Sequence, residues 1–304
     1  MAKAPAPLEQ RTLGRTGGAM TILGLGTRRL AAAGQQATIR VVREAIDAGV
    51  NVLEVSPAFA DGRAERWIGL ALRDGYRERV QLIWQCGAYL RDYKTSMAQF
   101  EATLGHLRTD HLEMWSFHEV IYDNDPDWIY EHGGLDAAQE ARDQRRVRWI
   151  GFHGEKSPHI ALKLLQRGFG WDAVLMPLNP FDASFRSFEK QVLPEVIRRG
   201  GAVIGTKALA GGAIPAGKVV KVDDAFRYVW SLPVSSVLVG CDSSPILKKT
   251  LKAAADFQLF HAGEMDAMRQ KARATAGDGR CERYKTTQEF DGAGGLAAHG
   301  FIMK

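Results

Sequence analysis

Cysteine is scarce in this chain. Its 304 residues hold three cysteines, Cys86, Cys241 and Cys281, far apart and in no Cys-x-x-Cys pair. That excludes a disulfide framework and makes a structural zinc or iron–sulfur site an unsuitable reading; the odd count predicts a reducing, cytoplasmic setting. Long apolar runs are also missing, so no transmembrane helix is expected. Residues Met1 to Gln10 are rich in Ala and Pro and carry no apolar stretch, so no secretory leader is expected there. A dominant charge of one sign is absent too: the net charge is +5, with basic residues scattered among acidic ones. The densest basic cluster, Arg142 to Arg146, reads as a solvated helix face, and no nucleic-acid motif accompanies it. These absences leave a protein that binds neither membrane nor nucleic acid and whose partner is a small molecule.

What is present is a regular alternation. Arg11 to Ile22 reads as a hairpin (10–22 in outline), and Leu23 to Thr27 as a first strand. Helical spacing of apolar residues then alternates with short apolar runs. Helices are expected at 36–47, 64–73, 96–107, 134–144, 158–167, 188–199, 222–231 and 245–255. Strands are expected at 50–55, 80–86, 111–118, 147–152, 171–176, 202–205 and 236–239. Eight strand–helix units imply parallel strands under helices and a closed (β/α)8 TIM barrel. One domain, 1–304, accounts for the whole chain, with a C-terminal extension at 261–304 that carries a helix at 263–276 and a Gly-rich end. In such barrels the site lies at the C-terminal strand ends. Those ends are Thr27, Glu54, Gln85, His118, His153, Asn179, Lys207 and Gly240.

The stretch around the second and third strands is the most specific. Gly49-Val50-Asn51-Val52-Leu53-Glu54 leads into Ala58-Phe59-Ala60-Asp61-Gly62 and then Glu65-Arg66-Trp67-Ile68-Gly69. This resembles the aldo-keto reductase signature, in which the strand ends in Asp, the loop carries a Tyr and Ser-Glu opens the helix. Further pieces follow in order: Leu107-Arg108-Thr109-Asp110-His111-Leu112, His118-Glu119-Val120, Arg148-Trp149-Ile150-Gly151-Phe152, Met176-Pro177-Leu178-Asn179 and Lys207-Ala208-Leu209-Ala210-Gly211-Gly212. They are similar to one bacterial branch of that family, over Arg11 to about Lys285. The resemblance implies a carbonyl reductase whose Tyr and Lys are replaced by Phe59 and Gln85, whose Asp is Glu54 and whose His is kept as His118. Some related reductases carry an iron–sulfur tail; Cys281 alone cannot hold a cluster, which takes about four ligands.

The resemblance also implies a nicotinamide dinucleotide. Val239-Gly240-Cys241-Asp242-Ser243-Ser244 runs from a strand into a helix, where a glycine and free N–H groups suit a phosphate. Asp242 stands where many members carry a basic residue, which favours a free 2′-hydroxyl; Lys248 and Lys249 favour a 2′-phosphate. The balance lies between NADP and NAD, leaning to NADP. Asp242 or Ser243 can equally be a plain helix cap. Asn179 is expected at the nicotinamide carboxamide and Lys207 at a cofactor phosphate, unless it is solvated. Thr27 and Arg28, with Arg29, are expected near the pyrophosphate or an anionic substrate.

Phe59 has no proton to give, and Gln85 no charge with which to lower a pKa. Two substitutes are present: His118, which can donate when protonated, and Glu54, which burial beside Trp84 would keep protonated. Tyr89 and Tyr122, in the loops after the third and fourth strands, are within reach of the site, but a surface loop position is the favoured expectation for both; Cys86 reads as a packed small residue. Phe59, Trp84, Phe117 and Trp128 are expected at the pocket rim, suiting a flat or apolar substrate; Arg28 and Arg29 would suit an acid group on it. The leading expectation is an NAD(P)(H)-dependent oxidoreductase of a carbonyl or alcohol with a non-standard proton donor. The alternatives are a cofactor-binding but redox-silent protein, and a redox-neutral isomerase, dehydratase or lyase working through His118 and Glu54. Oligomeric state is not legible in the sequence.

Overall fold

The computed structural model describes residues 7–301. Ten strands form: β1 (Gln10–Thr12), β2 (Ala19–Thr21), β3 (Leu23–Gly26), β4 (Val52–Val55), β5 (Gln81–Cys86), β6 (Leu112–Phe117), β7 (Val147–His153), β8 (Ala173–Pro177), β9 (Ala202–Thr206) and β10 (Ser236–Gly240). β3 to β10 close a parallel barrel in chain order, β10 returning to pair with β3 at Gly240↔Gly26. β1 and β2 form the antiparallel hairpin. Its Leu13 and Met20 join Val52, Ile83, Met114, Trp149 and Leu175 in one buried cluster, so the hairpin closes the barrel floor. Among the described residues no helix is long and apolar enough to cross a membrane.

Strand alternation sorts the side chains. Val52 and Ile83 belong to the lumen cluster, and two residues on, Glu54 and Gln85 form the next layer toward the C-terminal mouth. Their neighbours Leu53, Leu82, Trp84, Trp115 and Phe117 point outward into the larger cluster beneath the helices. This corrects the expected pocket rim. Trp84 packs edge-on to Trp115 at 4.7 Å, and Phe117 edge-on to Trp171 at 6.0 Å. Both are sealed between sheet and helices, because a residue one step from an inward position faces out.

The expected helices are present with small shifts. The stretch expected at 188–199 is two helices, Phe188–Gln191 and Leu193–Arg198. Pro194 near the start of the second lacks an N–H to continue the first ladder. Short helices that no amphipathic period announced appear at Leu30–Ala33, Asp125–Glu131, Ala213–Gly217, Arg283–Thr286 and Ala293–Ala298. The last two lie in the C-terminal extension, which crosses the mouth of the barrel.

Candidate active site

Glu54 stands at the top of the lumen layer. Gln85 Nε2 donates to its Oε1 at 3.0 Å, and Gln85 Oε1 is buried with no partner among the described residues. A Cβ on Gly26 would come within 3.3 Å of Glu54 Oε2, so the missing side chain there leaves room for the longer carboxyl. Thr27 Oγ1 donates to the Glu54 carbonyl at 2.7 Å and ties β3 to β4 at the mouth. Burial pushes the Glu54 carboxyl above its usual range; His153, the Gln85 hydrogen bond, Lys207 and Arg28 pull the other way and lose.

His118, just past β6, is 6% exposed. Its Nδ1 lies 3.0 Å from the hydroxyl of Tyr89, which comes from the loop after β5. Tyr89 is buried, not the surface aromatic expected, because the loop folds inward and the C-terminal extension covers it. The His118 ring stacks on His153 at 5.5 Å, and Phe59 meets it edge-on at 6.2 Å. Burial, with His153 adding to it, holds the imidazole pKa well below the ordinary value. This disfavours the imidazolium form in which His118 is expected to donate. Arg91 anchors this loop: wholly buried, it pairs with Asp125 at 2.7 Å and donates to the carbonyls of His118 and Glu119 at 2.9 and 2.8 Å. Asp125 also accepts from the N–H groups of Ile121 and Tyr122.

A second polar chain adjoins the first. His153 Nε2 lies 3.3 Å from Glu155 Oε2, which also meets Lys207 Nζ at 3.0 Å. Burial alone would raise the Glu155 carboxyl, but Lys207 and His153 outweigh it and hold it well below the carboxylate range. Lys207 is thus neither solvated nor free for a phosphate as the fold stands; its ammonium also faces the rings of Tyr284 and Phe290. Glu119 lies 4.0 Å from His118 Nε2 and is pushed up to about 6 by burial and by Glu155. Tyr89 reaches in, the less favoured of its two expectations, whereas Glu119 and Glu155 escaped the sequence reading. Only the position of Glu119 beside the strand-end His hinted at it.

The C-terminal extension is built into this mouth. Asn179 gives its amide protons to Glu282 Oε1 and the Tyr284 hydroxyl, each at 3.0 Å, and takes the Phe181 N–H at 2.9 Å. The amide expected at a nicotinamide is spent on the extension instead. Lys285, fully buried, binds Asp182 at 2.6 Å and Glu282 at 2.8 Å. Farther on, Lys156 and the Tyr122 hydroxyl both hold Asp291, at 2.6 and 2.8 Å. Gly292 N–H donates to Glu119 at 2.9 Å. A Cβ on Gly294 would sit 2.7 Å from the Tyr89 ring, so the backbone lies flat on that face. His299 stacks between Tyr122 and Trp128, which places Trp128 under the extension.

The proposed nucleotide end lies apart from these contacts. Ser243 Oγ donates to Asp242 at 3.1 Å, and neither side chain caps the helix Ser244–Ala255. The plain-cap reading is therefore wrong, and no side chain takes the N–H groups of Ser244 and Ile246, Pro245 between them having none. Ser244 Oγ is buried without a partner among the described residues. Gly240 is exposed and rests on the stem of Arg29, whose guanidinium is 3.8 Å from Asp242. Lys248 is exposed one turn on. An uncapped helix start, an orphan hydroxyl and nearby cations fit a phosphate. Arg28 adds positive potential at the barrel mouth: it opposes the protonation of both Glu54 and His118.

The comparisons with known proteins agree with this architecture. The fold superposes on aldo-keto reductase AKR11C1 from Bacillus halodurans, holo form, with a TM-score of 0.77 over 90% of this chain and 99% of that one, at 18% identity. The L-galactose dehydrogenase of Arabidopsis thaliana is 24% identical over 157 residues, 48% of this chain and 49% of that protein. The methylglyoxal reductase YeaE of Escherichia coli is 30% identical over 80 residues, 26% of this chain and 28% of its own. The chain thus matches about half, or less, of the length of these curated relatives. A model of the aldo/keto reductase family matches residues 22–258, and the chain belongs to that family.

Proposed function

We propose that this protein is an NAD(P)(H)-dependent oxidoreductase of a carbonyl or alcohol, in which Glu54 replaces a Tyr–Lys pair as proton donor. The observation that carries the reading is the Glu54–Gln85 pair at the lumen top. In the positions that the family resemblance assigns to Lys and Tyr stand Gln85 and Phe59. A neutral amide beside Glu54 does not force it to ionise, whereas an ammonium would. Burial of this half-buried carboxyl then favours its protonated form, and its second oxygen faces the space beside Gly26. His118 is the second polar group at the substrate oxygen, and Phe59 is the apolar wall beside it.

A bound nicotinamide supplies the hydride to the carbonyl carbon. The chain's own residues supply the rest: Glu54 gives the proton to the oxygen, and His118 hydrogen-bonds it. Gly240, Ser243, Ser244 and Lys248 receive the adenosine end, with Arg28 and Thr27 at the mouth. Lys248 and the Arg29–Asp242 pair, which offsets the acid, lean this toward NADP over NAD. Asn179 takes part only if the extension yields it, and Lys207 only if Glu155 does. With Trp84 and Phe117 outside, the case for an aromatic substrate rests on Phe59 and Tyr89; Arg28 supports an anionic group on it. Three free thiols support a cytoplasmic setting.

A redox-neutral acid/base enzyme is the second reading. It is favoured by Glu119, 4.0 Å from His118, whose carboxyl is pushed up to about 6 by burial and Glu155. The discriminating experiment titrates the protein with NADPH and NADH by fluorescence and follows cofactor oxidation with a panel of aldehydes and quinones. Binding with turnover is expected, and Glu54→Gln should lower kcat by about 10²–10⁴ with cofactor affinity kept, as expected for loss of a positioned acid. Turnover unchanged in Glu54→Gln would sink the donor assignment. Binding without oxidation would favour the redox-neutral or the redox-silent reading.

A further inference from the structure

The contact between Tyr89 and His118 has no counterpart in the role given to either residue above. Tyr89 makes one side-chain hydrogen bond among the described residues, to His118 Nδ1 at 3.0 Å. We infer that Tyr89 is a positioning residue: its hydroxyl donates to Nδ1, which fixes the ring proton on Nε2 and presents that N–H to a bound substrate oxygen.

Two independent features of the geometry assign the proton. If Nδ1 carried it, the Tyr89 hydroxyl would lose its acceptor while 8% exposed, and a buried donor without a partner is costly. Nε2, for its part, lies 4.0 Å from Glu119 Oε1. A bare nitrogen lone pair facing a carboxyl oxygen is repelled, whereas an N–H is attracted. The separation exceeds hydrogen-bond reach, so the donor is not consumed inside the protein. Burial is the largest influence on the ring, and it opposes a second proton. Arg28, Arg91 and His153 oppose it and only Glu155 supports it. Burial and Glu119 likewise keep Tyr89 in its phenol form. The pair is thus neutral on neutral.

The ring cannot turn away from this bond. His153 stacks on it with an interplanar angle of 17°, Phe59 closes one edge, and Arg91 holds the His118 carbonyl. Tyr89 is seated from the far end of the sequence. The Gly294 backbone lies on its ring, and a Cβ on Gly292 would come 3.2 Å from its hydroxyl. The extension therefore holds the residue that sets the tautomer, and the two glycines permit that approach.

Only the clause that Nε2–H meets a substrate oxygen rests on the function proposed above; the tautomer itself needs no substrate. The test is nitrogen-15 NMR of the histidine ring in the full-length protein between pH 5.5 and 8, read together with NADPH-dependent turnover. The wild type should show His118 as the Nε2–H tautomer across this range. Tyr89→Phe should mix the tautomers and lower kcat about tenfold, the worth of roughly one neutral hydrogen bond, with KM for NADPH unchanged. Gly294→Ala, which pushes on the same ring without touching the hydroxyl, should move the tautomer in the same direction. A wild-type Nδ1–H ring, or a tautomer unmoved in Tyr89→Phe, overturns the assignment. A shifted tautomer with unchanged kcat overturns its role in turnover. No turnover in the wild type would refute the proposed reductase and leave the tautomer result standing.

Discussion

Glu119→Gln isolates the electrostatic cost of closing this barrel mouth. The carboxyl is buried beside Glu155 and Gly292, and its pKa moves from 4.5 to about 6. A raised carboxyl pKa means that the folded state holds its proton more tightly than the unfolded chain. Between pH 4.5 and 6 the unfolded state therefore binds fewer protons, and stability falls as pH rises. Above pH 6 the loss is complete, about 2 kcal/mol for a shift of this size; at pH 5 it is about 1 kcal/mol. Glutamine has no such term, and its side-chain oxygen still accepts from Gly292 N–H. The slope with pH, not the offset, thus carries the test. Thermal melts of wild type and variant at pH 5 and 8 should show the variant gaining about 1 kcal/mol more at the higher pH. For a chain of this length that is roughly 2 °C in Tm. A Tm difference that stays flat between those pH values, or that moves in favour of the wild type as pH rises, would refute the claim that burial raises the Glu119 pKa.

Two further outcomes follow from the packing. Phe59→Tyr with Gln85→Lys should raise reduction of generic aldehydes, because the introduced ammonium would meet Glu54 where the Gln85 amide now does, 3.0 Å away; no gain in kcat/KM in the double variant would mean that the pocket has diverged beyond these two positions. Gly69→Ala should lower Tm by several degrees, since its Cβ would fall 2.3 Å from the His106 carbonyl and 3.0 Å from Leu107 Cα, both backbone; overpacking of this kind costs about 1–3 kcal/mol. Gly105→Ala, exposed on the facing helix with nothing within 4 Å, is the control and should raise Tm slightly.

The barrel was legible because its signals are local. Alternating residues such as Val52 and Glu54, or Ile83 and Gln85, mark a strand with a lumen face, and the helices between repeat their apolar residues at helical spacing. The strand-end set followed from that register, and Glu54, Gln85 and His118 do gather near the mouth. The same alternation placed Trp84 and Phe117 outside, and neglecting it put them in the pocket. Ser243 looked like a cap, but its hydroxyl donates to Asp242 instead of accepting from a helix N–H, a choice that residue type does not decide.

From sequence alone came the barrel, the layer of Glu54 and Gln85, and a phenylalanine, Phe59, at the place where the family resemblance implies a phenol. Each depends on residues within one strand and its turn. The surroundings of those groups were decided only by tertiary structure. Tyr89 reaches His118 across two barrel strands, Lys156 holds Asp291 across 135 positions, and Asn179 is claimed by Glu282 and Tyr284 from 103 and 105 positions away. No periodicity encodes such pairs. They form because the closed barrel brings the ends of its strands together, and the C-terminal extension then buries the polar groups it finds there. Burial is the largest influence on the pKa of Glu54, Glu119 and His118.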